Sequence, residues 1–117
     1  MNWQGKTMSE NGSFDESVLR EIVRRLVEVY RPVRIYLYGS RARGEATEDS
    51  DYDLAMIVAA SDLPMYRRVI EALRVLADVR ADAQVIVWTE AEFARKLSVV
   101  ASLPATVERE GLLLYAA

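Results

Sequence analysis

The chain has 117 residues, 51% of them hydrophobic and 28% charged, and carries a net charge of −3. That composition fits one ordinary globular domain with no general attraction to nucleic acid, so direct nucleic-acid binding is not expected. Cysteine and histidine are both absent, which excludes disulfides, thiolate nucleophiles, Ser-His-Asp catalysis and Cys- or His-ligated metals.

No run approaches the ~20 apolar residues of a membrane span, and no signal peptide opens the chain, so a cytoplasmic location is expected. Residues 1–13 are polar and aperiodic and read as a flexible lead, leaving residues 14–117 as the domain. Ser13 with Glu16 forms a capping box that opens a first helix. Leu19, Ile22, Val23, Leu26, Val27 and Tyr30 give that helix its apolar stripe. Arg20, Glu21, Arg24, Arg25 and Glu28 supply its wet face, and Pro32 ends it near Tyr30.

Val33–Tyr38 is β-branched and aromatic, a first strand. A polar stretch follows, with a helical turn starting near Ser40, and Asp51–Ala60 is the second strand. Ser61 or Asp62 with Pro64 marks the next helix, whose expected buried stripe is Tyr66, Val69, Ile70, Leu73, Leu76 and Ala77, running to about Val79. Val85–Trp88 is a third strand. Thr89 and Glu92 form a second capping box, opening a helix to about Leu97. Pro104 starts a last short helix, Gly111 suits its C′ position, and Leu112–Tyr115 adds to a sheet edge. The fold class is α+β, a small mixed sheet flanked by helices. The first two strands are expected to be antiparallel, and the helical crossover makes the second and third parallel.

The stretch Gly39–Leu54, G-S-R-A-R-G-E-A-T-E-D-S-D-Y-D-L, concentrates the chemistry. Asp51 and Asp53 alternate at the start of a strand, so both carboxylates lie on one face, an arrangement that suits a hard divalent cation. An acidic turn ahead of a strand is the plainer explanation for a lone D-x-D; here the surroundings argue for more. Gly39 lets the backbone approach a ligand, Ser40 adds a hydroxyl, and Arg41 and Arg43 are candidate phosphate contacts. A P-loop is excluded, because Glu45 and Ala46 stand where Lys and Ser/Thr are required.

The pattern G-S-x(10)-D-x-D, carried by Gly39, Ser40, Asp51 and Asp53, resembles the signature of the DNA polymerase β-like nucleotidyltransferase superfamily. The fuller string G-S-R-A-R-G-x(5)-S-D-Y-D-L resembles its minimal nucleotidyltransferase branch, the MNT antitoxins. The likeness extends through V-I-V-W-T-E-A-E-F and R-E-G-L-L-L-Y. The resemblance implies a polymerase β-like palm fold and transfer of AMP from ATP, with Mg²⁺ or Mn²⁺ held by Asp51 and Asp53. It also implies a HEPN-domain toxin as partner and a toxin tyrosine as acceptor. The superfamily's third carboxylate falls on Gln84 here, and Asp82, two residues earlier, is the candidate replacement as catalytic and metal-binding residue. Two alternatives stand beside this reading. One is an antitoxin with an impaired site that binds nucleotide and neutralises by occlusion. The other is a small-molecule nucleotidyltransferase acting as a homodimer.

Overall fold

The computed structural model describes residues 14–117. The lead and Ser13 lie outside them, and within them the first helix is capped by Asp15, whose carboxylate accepts the Ser17 and Val18 amides. That helix, α1, spans Glu16–Tyr30 and ends on Arg31 in a left-handed conformation, φ 47°, just before Pro32. The elements that follow are β1 (Arg34–Tyr38), α2 (Ser40–Arg43), β2 (Tyr52–Val58), α3 (Met65–Val75), β3 (Ala83–Thr89), α4 (Glu90–Lys96), α5 (Leu103–Glu110) and β4 (Leu112–Ala116). Among these residues no helix is long and apolar enough to cross a membrane.

The four strands form one mixed sheet in the order β3-β2-β1-β4. The expected antiparallel β1–β2 pair and parallel β2–β3 pair are both present, and β4 runs antiparallel to β1 at the edge. Strand alternation gives the sheet two apolar faces. Ile35, Leu37, Leu54, Met56, Val85 and Val87 pack with Leu19, Ile22, Val23 and Leu26 of α1 and with Ala72 of α3. On the opposite face, Tyr36, Ala55, Ile57 and Trp88 pack with Phe93 of α4 and Val107 of α5. Rings of Tyr36 and Trp88 lie 6.0 Å and 5.7 Å from that of Phe93.

Three local expectations are corrected. The apolar stripe expected for α3 holds only in part: Leu76 is buried and Leu73 packs against the core, but Tyr66 and Ile70 are 66% and 46% exposed and Ala77 is exposed, while Arg68 and Ala72 are buried. Arg68 is tolerated inside because its guanidinium donates to Glu92 at 2.6 Å and to the carbonyls of Leu63 and Val87. The helix also stops at Val75, and its N-cap is Pro64 without a side-chain cap. Gly111 follows α5 with an extended backbone, φ −75°, rather than a left-handed one. Close approach is what requires glycine there, since a Cβ would stand 2.5 Å from the Val107 carbonyl oxygen and 3.1 Å from that of Leu37.

Candidate functional site

The site forms where β1 ends and β2 begins. Gly39 leaves β1 at φ 77°, ψ −157°, a region that is essentially glycine-only. Its carbonyl accepts the amides of Ala42 and Arg43, which closes the single turn of α2. The amide and hydroxyl of Ser40 stand at the opening of that turn, where helical N–H groups lack partners within the helix. Gly44, also left-handed at φ 77°, ends the turn and sends the chain into the polar loop.

Asp53 sits in β2 directly opposite Tyr38 of β1 and Gln84 of β3. A Cβ built on Gly39 would lie 2.5 Å from Asp53 Oδ2, so the glycine turn and the carboxylate are in direct apposition. Burial, and then the nearby charge of Asp51, raise the Asp53 carboxyl above its ordinary value; Arg43 opposes the rise. The Tyr38 hydroxyl is likewise pushed up, by burial and then by Asp53. Asp51 is exposed and falls one residue before β2.

The two arginines of the turn take different places. Arg43 is half exposed and donates to Glu45 at 2.6 Å, close enough to Asp53 and Glu110 for their charges to act on it. Arg41 is only 9% exposed. Its Nε and Nη2 donate to the Ser50 carbonyl at 2.9 and 2.5 Å, and its guanidinium lies 4.0 Å from the centre of the Tyr52 ring.

Asp82 is exposed, one residue ahead of β3, and its carbonyl accepts the Tyr52 amide at 2.9 Å. Among the described residues no three acidic side chains gather closely enough to hold a metal ion between them, so Asp82 does not join Asp51 and Asp53 in a three-carboxylate cluster. Asp51, Asp82 and Gln84 instead share the polar rim of an open recess of about 570 Å³, whose apolar wall comes from Leu73, Leu76 and Val79. Tyr52 and Ser50, which Arg41 engages, were not singled out from the sequence. The available signal was an aromatic residue between two alternate aspartates, inward-facing by strand parity.

A family model described as the nucleotidyltransferase domain matches residues 17–111. Over 74 residues the chain is 32% identical to MJ1379 of Methanocaldococcus jannaschii, described as a candidate protein adenylyltransferase; the match spans 63% of this chain and 70% of that one. The fold is also similar to that of a candidate nucleotidyltransferase from Sulfolobus solfataricus, with a TM-score of 0.65 at 22% identity, covering 96% of this chain and 91% of that one. A mutant form of the MntA-HpeT toxin-antitoxin superposes with a TM-score of 0.57 at 24% identity, covering 89% and 74% of the two chains. A toxin-antitoxin structure with AMP-PNP gives a TM-score of 0.51 at 18% identity, covering 89% and 75%. The chain therefore belongs to the nucleotidyltransferase domain family, as a minimal nucleotidyltransferase, and is a transferase enzyme.

Proposed function

We propose that this enzyme transfers AMP from ATP to a hydroxyl of a partner protein, as the antitoxin of a toxin–antitoxin pair whose toxin is a HEPN-domain protein modified on a tyrosine. The observation that carries the reading is the apposition of the Gly39 turn and the Asp53 carboxylate. A glycine turn that accepts phosphate then faces the carboxylates required beside it. The relative from Methanocaldococcus jannaschii is described as acting on protein, which supports a protein acceptor. The toxin-antitoxin structures of similar fold, one of them with AMP-PNP, support the partner and the nucleotide.

The donor set fits a divalent metal. Asp51 and Asp53 offer only oxygen; the Asp53 carboxyl is raised chiefly by burial and next by the charge of Asp51, and a cation between the two would favour its ionised form. Mg²⁺ is commonly held by one or two carboxylates together with substrate phosphates, so a pair suffices. Asp51 and Asp53 would hold it, or Mn²⁺ in its place, and when bound it supplies Lewis-acid neutralisation of phosphate charge. Gly39 and Ser40 hold the terminal phosphates, with Arg43 the arginine placed near them. The acceptor hydroxyl enters from the recess rimmed by Asp51, Asp82 and Gln84. Its oxygen bonds to the α-phosphorus, the α–β bridging bond breaks, pyrophosphate leaves and the hydroxyl proton passes to solvent.

Occlusion without transfer is the second reading. Gln84 favours it, because an amide opposite Asp53 cannot take a proton. Incubation with α-labelled ATP, Mg²⁺ and the HEPN-domain protein proposed as its partner separates the two. Label on a toxin tyrosine that vanishes in Asp53→Asn supports transfer; toxin inhibition without label overturns it in favour of occlusion. Label that falls only modestly in Asp82→Asn would agree with a place on the acceptor side.

A further inference from the structure

The turn that carries Ser40 also carries a side chain that reaches the opposite wall of the site. Arg41 donates twice to the carbonyl of Ser50 and stacks on the ring of Tyr52. Those two residues flank Asp51, and Tyr52 separates Asp51 from Asp53. Asp51 is exposed and lies outside the regular strand, so its own side chain does little to fix its backbone.

Tyr52 is held from several directions. Its amide donates to Asp82, its hydroxyl accepts the amide of Asp15 at the start of α1, and its ring packs in the core at 5% exposure. Arg41 is therefore anchored to a rigid partner while it grips the last loop residue before Asp51. A planar guanidinium that both stacks and donates in a fork fixes direction as well as distance, which a lysine ammonium does not. With a burial of nine-tenths, the Arg41 side chain is committed to Ser50 and Tyr52.

We infer that Arg41 is a positioning residue of the transfer site: it ties the glycine turn of β1 to the carboxylate end of β2 and sets the place of Asp51 relative to Asp53. This rests on the reading of Asp51 and Asp53 as the carboxylates of the transfer site. The physical consequence is that the phosphate-binding turn and the metal-binding carboxylates move as one body. Misplacement of a reacting or ligating group by ~1 Å costs on the order of 100-fold in rate.

The test pairs activity with backbone hydrogen exchange in the full chain. Arg41→Lys keeps the charge and loses the fork and the stack. We expect kcat to fall by about 10- to 100-fold, with the KM for ATP within about threefold of its parental value and a higher Mg²⁺ requirement. Amides of residues 45–51 exchange about tenfold faster, while those of α1 and β3 keep their protection. Tyr52→Leu, which removes the ring from the other side, reproduces both effects, and Arg24→Ala on the solvated face of α1 reproduces neither. Should Arg41→Lys fail to fold, Tyr52→Leu carries the same readouts. Binding of ATP measured without divalent metal that weakens about tenfold in Arg41→Lys, with kcat retained, would make Arg41 a phosphate ligand and overturn the inference. Parental kcat together with parental exchange over 45–51 would overturn it as well. Faster exchange over 45–51 in a protein whose parent labels no acceptor supports the clamp and counts against the proposed acceptor alone.

Discussion

Gly39 and Asp53 approach so closely across β1 and β2 that a single methyl group on the glycine would stand 2.5 Å from the aspartate Oδ2. Two penalties follow for Gly39→Ala. The backbone conformation, φ 77° and ψ −157°, costs a non-glycine residue about 1–3 kcal/mol. The added carbon also displaces the carboxylate proposed above as a metal ligand of the transfer site. Urea denaturation is expected to show a stability loss of that size, and AMP transfer to fall by about 100-fold. An alanine variant that is less stable yet transfers AMP at the parental rate would disconnect the glycine turn from catalysis.

Asp53 gives the enzyme a pH signature of definite sign. Its carboxyl is raised above the ordinary aspartate value of 3.8, chiefly by burial and next by Asp51. The folded protein therefore binds this proton more tightly than the unfolded chain does, and the group's contribution to stability becomes less favourable as pH rises from 3.8 through the raised value. Above that window the charged carboxylate opposes folding. Asp53→Asn is expected to be more stable than the parent near neutral pH and to lose that advantage in acid, which thermal melts at the two pH values will show. On the proposed function, Mg²⁺ with ATP is expected to reverse the order, stabilising the parent and leaving Asp53→Asn almost unmoved. An advantage for Asp53→Asn that is independent of pH would mean the carboxylate is not strained by its surroundings.

Much of the fold was legible because apolar spacing and turn chemistry agreed. The stripe of α1, the apolar runs of β1 and β2, and the Thr89–Glu92 capping box each appear where the sequence puts them. The face of α3 was not legible. Its apolar residues fill two adjacent faces, and the choice between them is made by a buried cation whose counter-ion lies on another helix. The consequence is measurable. Tyr66→Ser removes an apolar group that is mostly in water and should change stability by less than about 0.5 kcal/mol, and Ile70→Ser, at 46% exposure, by less than about 1 kcal/mol. A loss of about 2 kcal/mol or more at either position would restore that residue to the core.

At the site, period-two alternation made the Asp51–Asp53 pair readable, and the glycine turn was readable from its position after a strand. The different places taken by Arg41 and Arg43 were not. Both follow Gly39 by an even count, and only the fold brings Ser50 and Tyr52 back against one of them. Asp82 shows the same limit, since strand parity places it on the row of Gln84 but its exposed position ahead of β3 takes it away from a closed carboxylate cluster.

The Arg68–Glu92 pair locks α3 to α4 across the end of β3. Arg68 is 8% exposed and donates at 2.6 Å to a Glu92 side chain that is 34% exposed. Glu92 at the same time accepts the Thr89 amide, so one carboxylate serves both an ion pair and a helix cap. Removing one partner of a fully buried pair costs about 3–5 kcal/mol, and the access of water to Glu92 lowers that to about 2–4 kcal/mol for Arg68→Ala. The hydrogen bond from Arg68, more than any other cause, holds the Glu92 carboxyl below its ordinary 4.5. Its contribution to stability is therefore complete above 4.5 and is lost as pH falls through the lowered value. Denaturant melts of the parent and of Arg68→Ala should differ most near neutral pH and converge in acid. A gap that stays constant across that range would assign the loss to packing of the Arg68 stem and not to its charge.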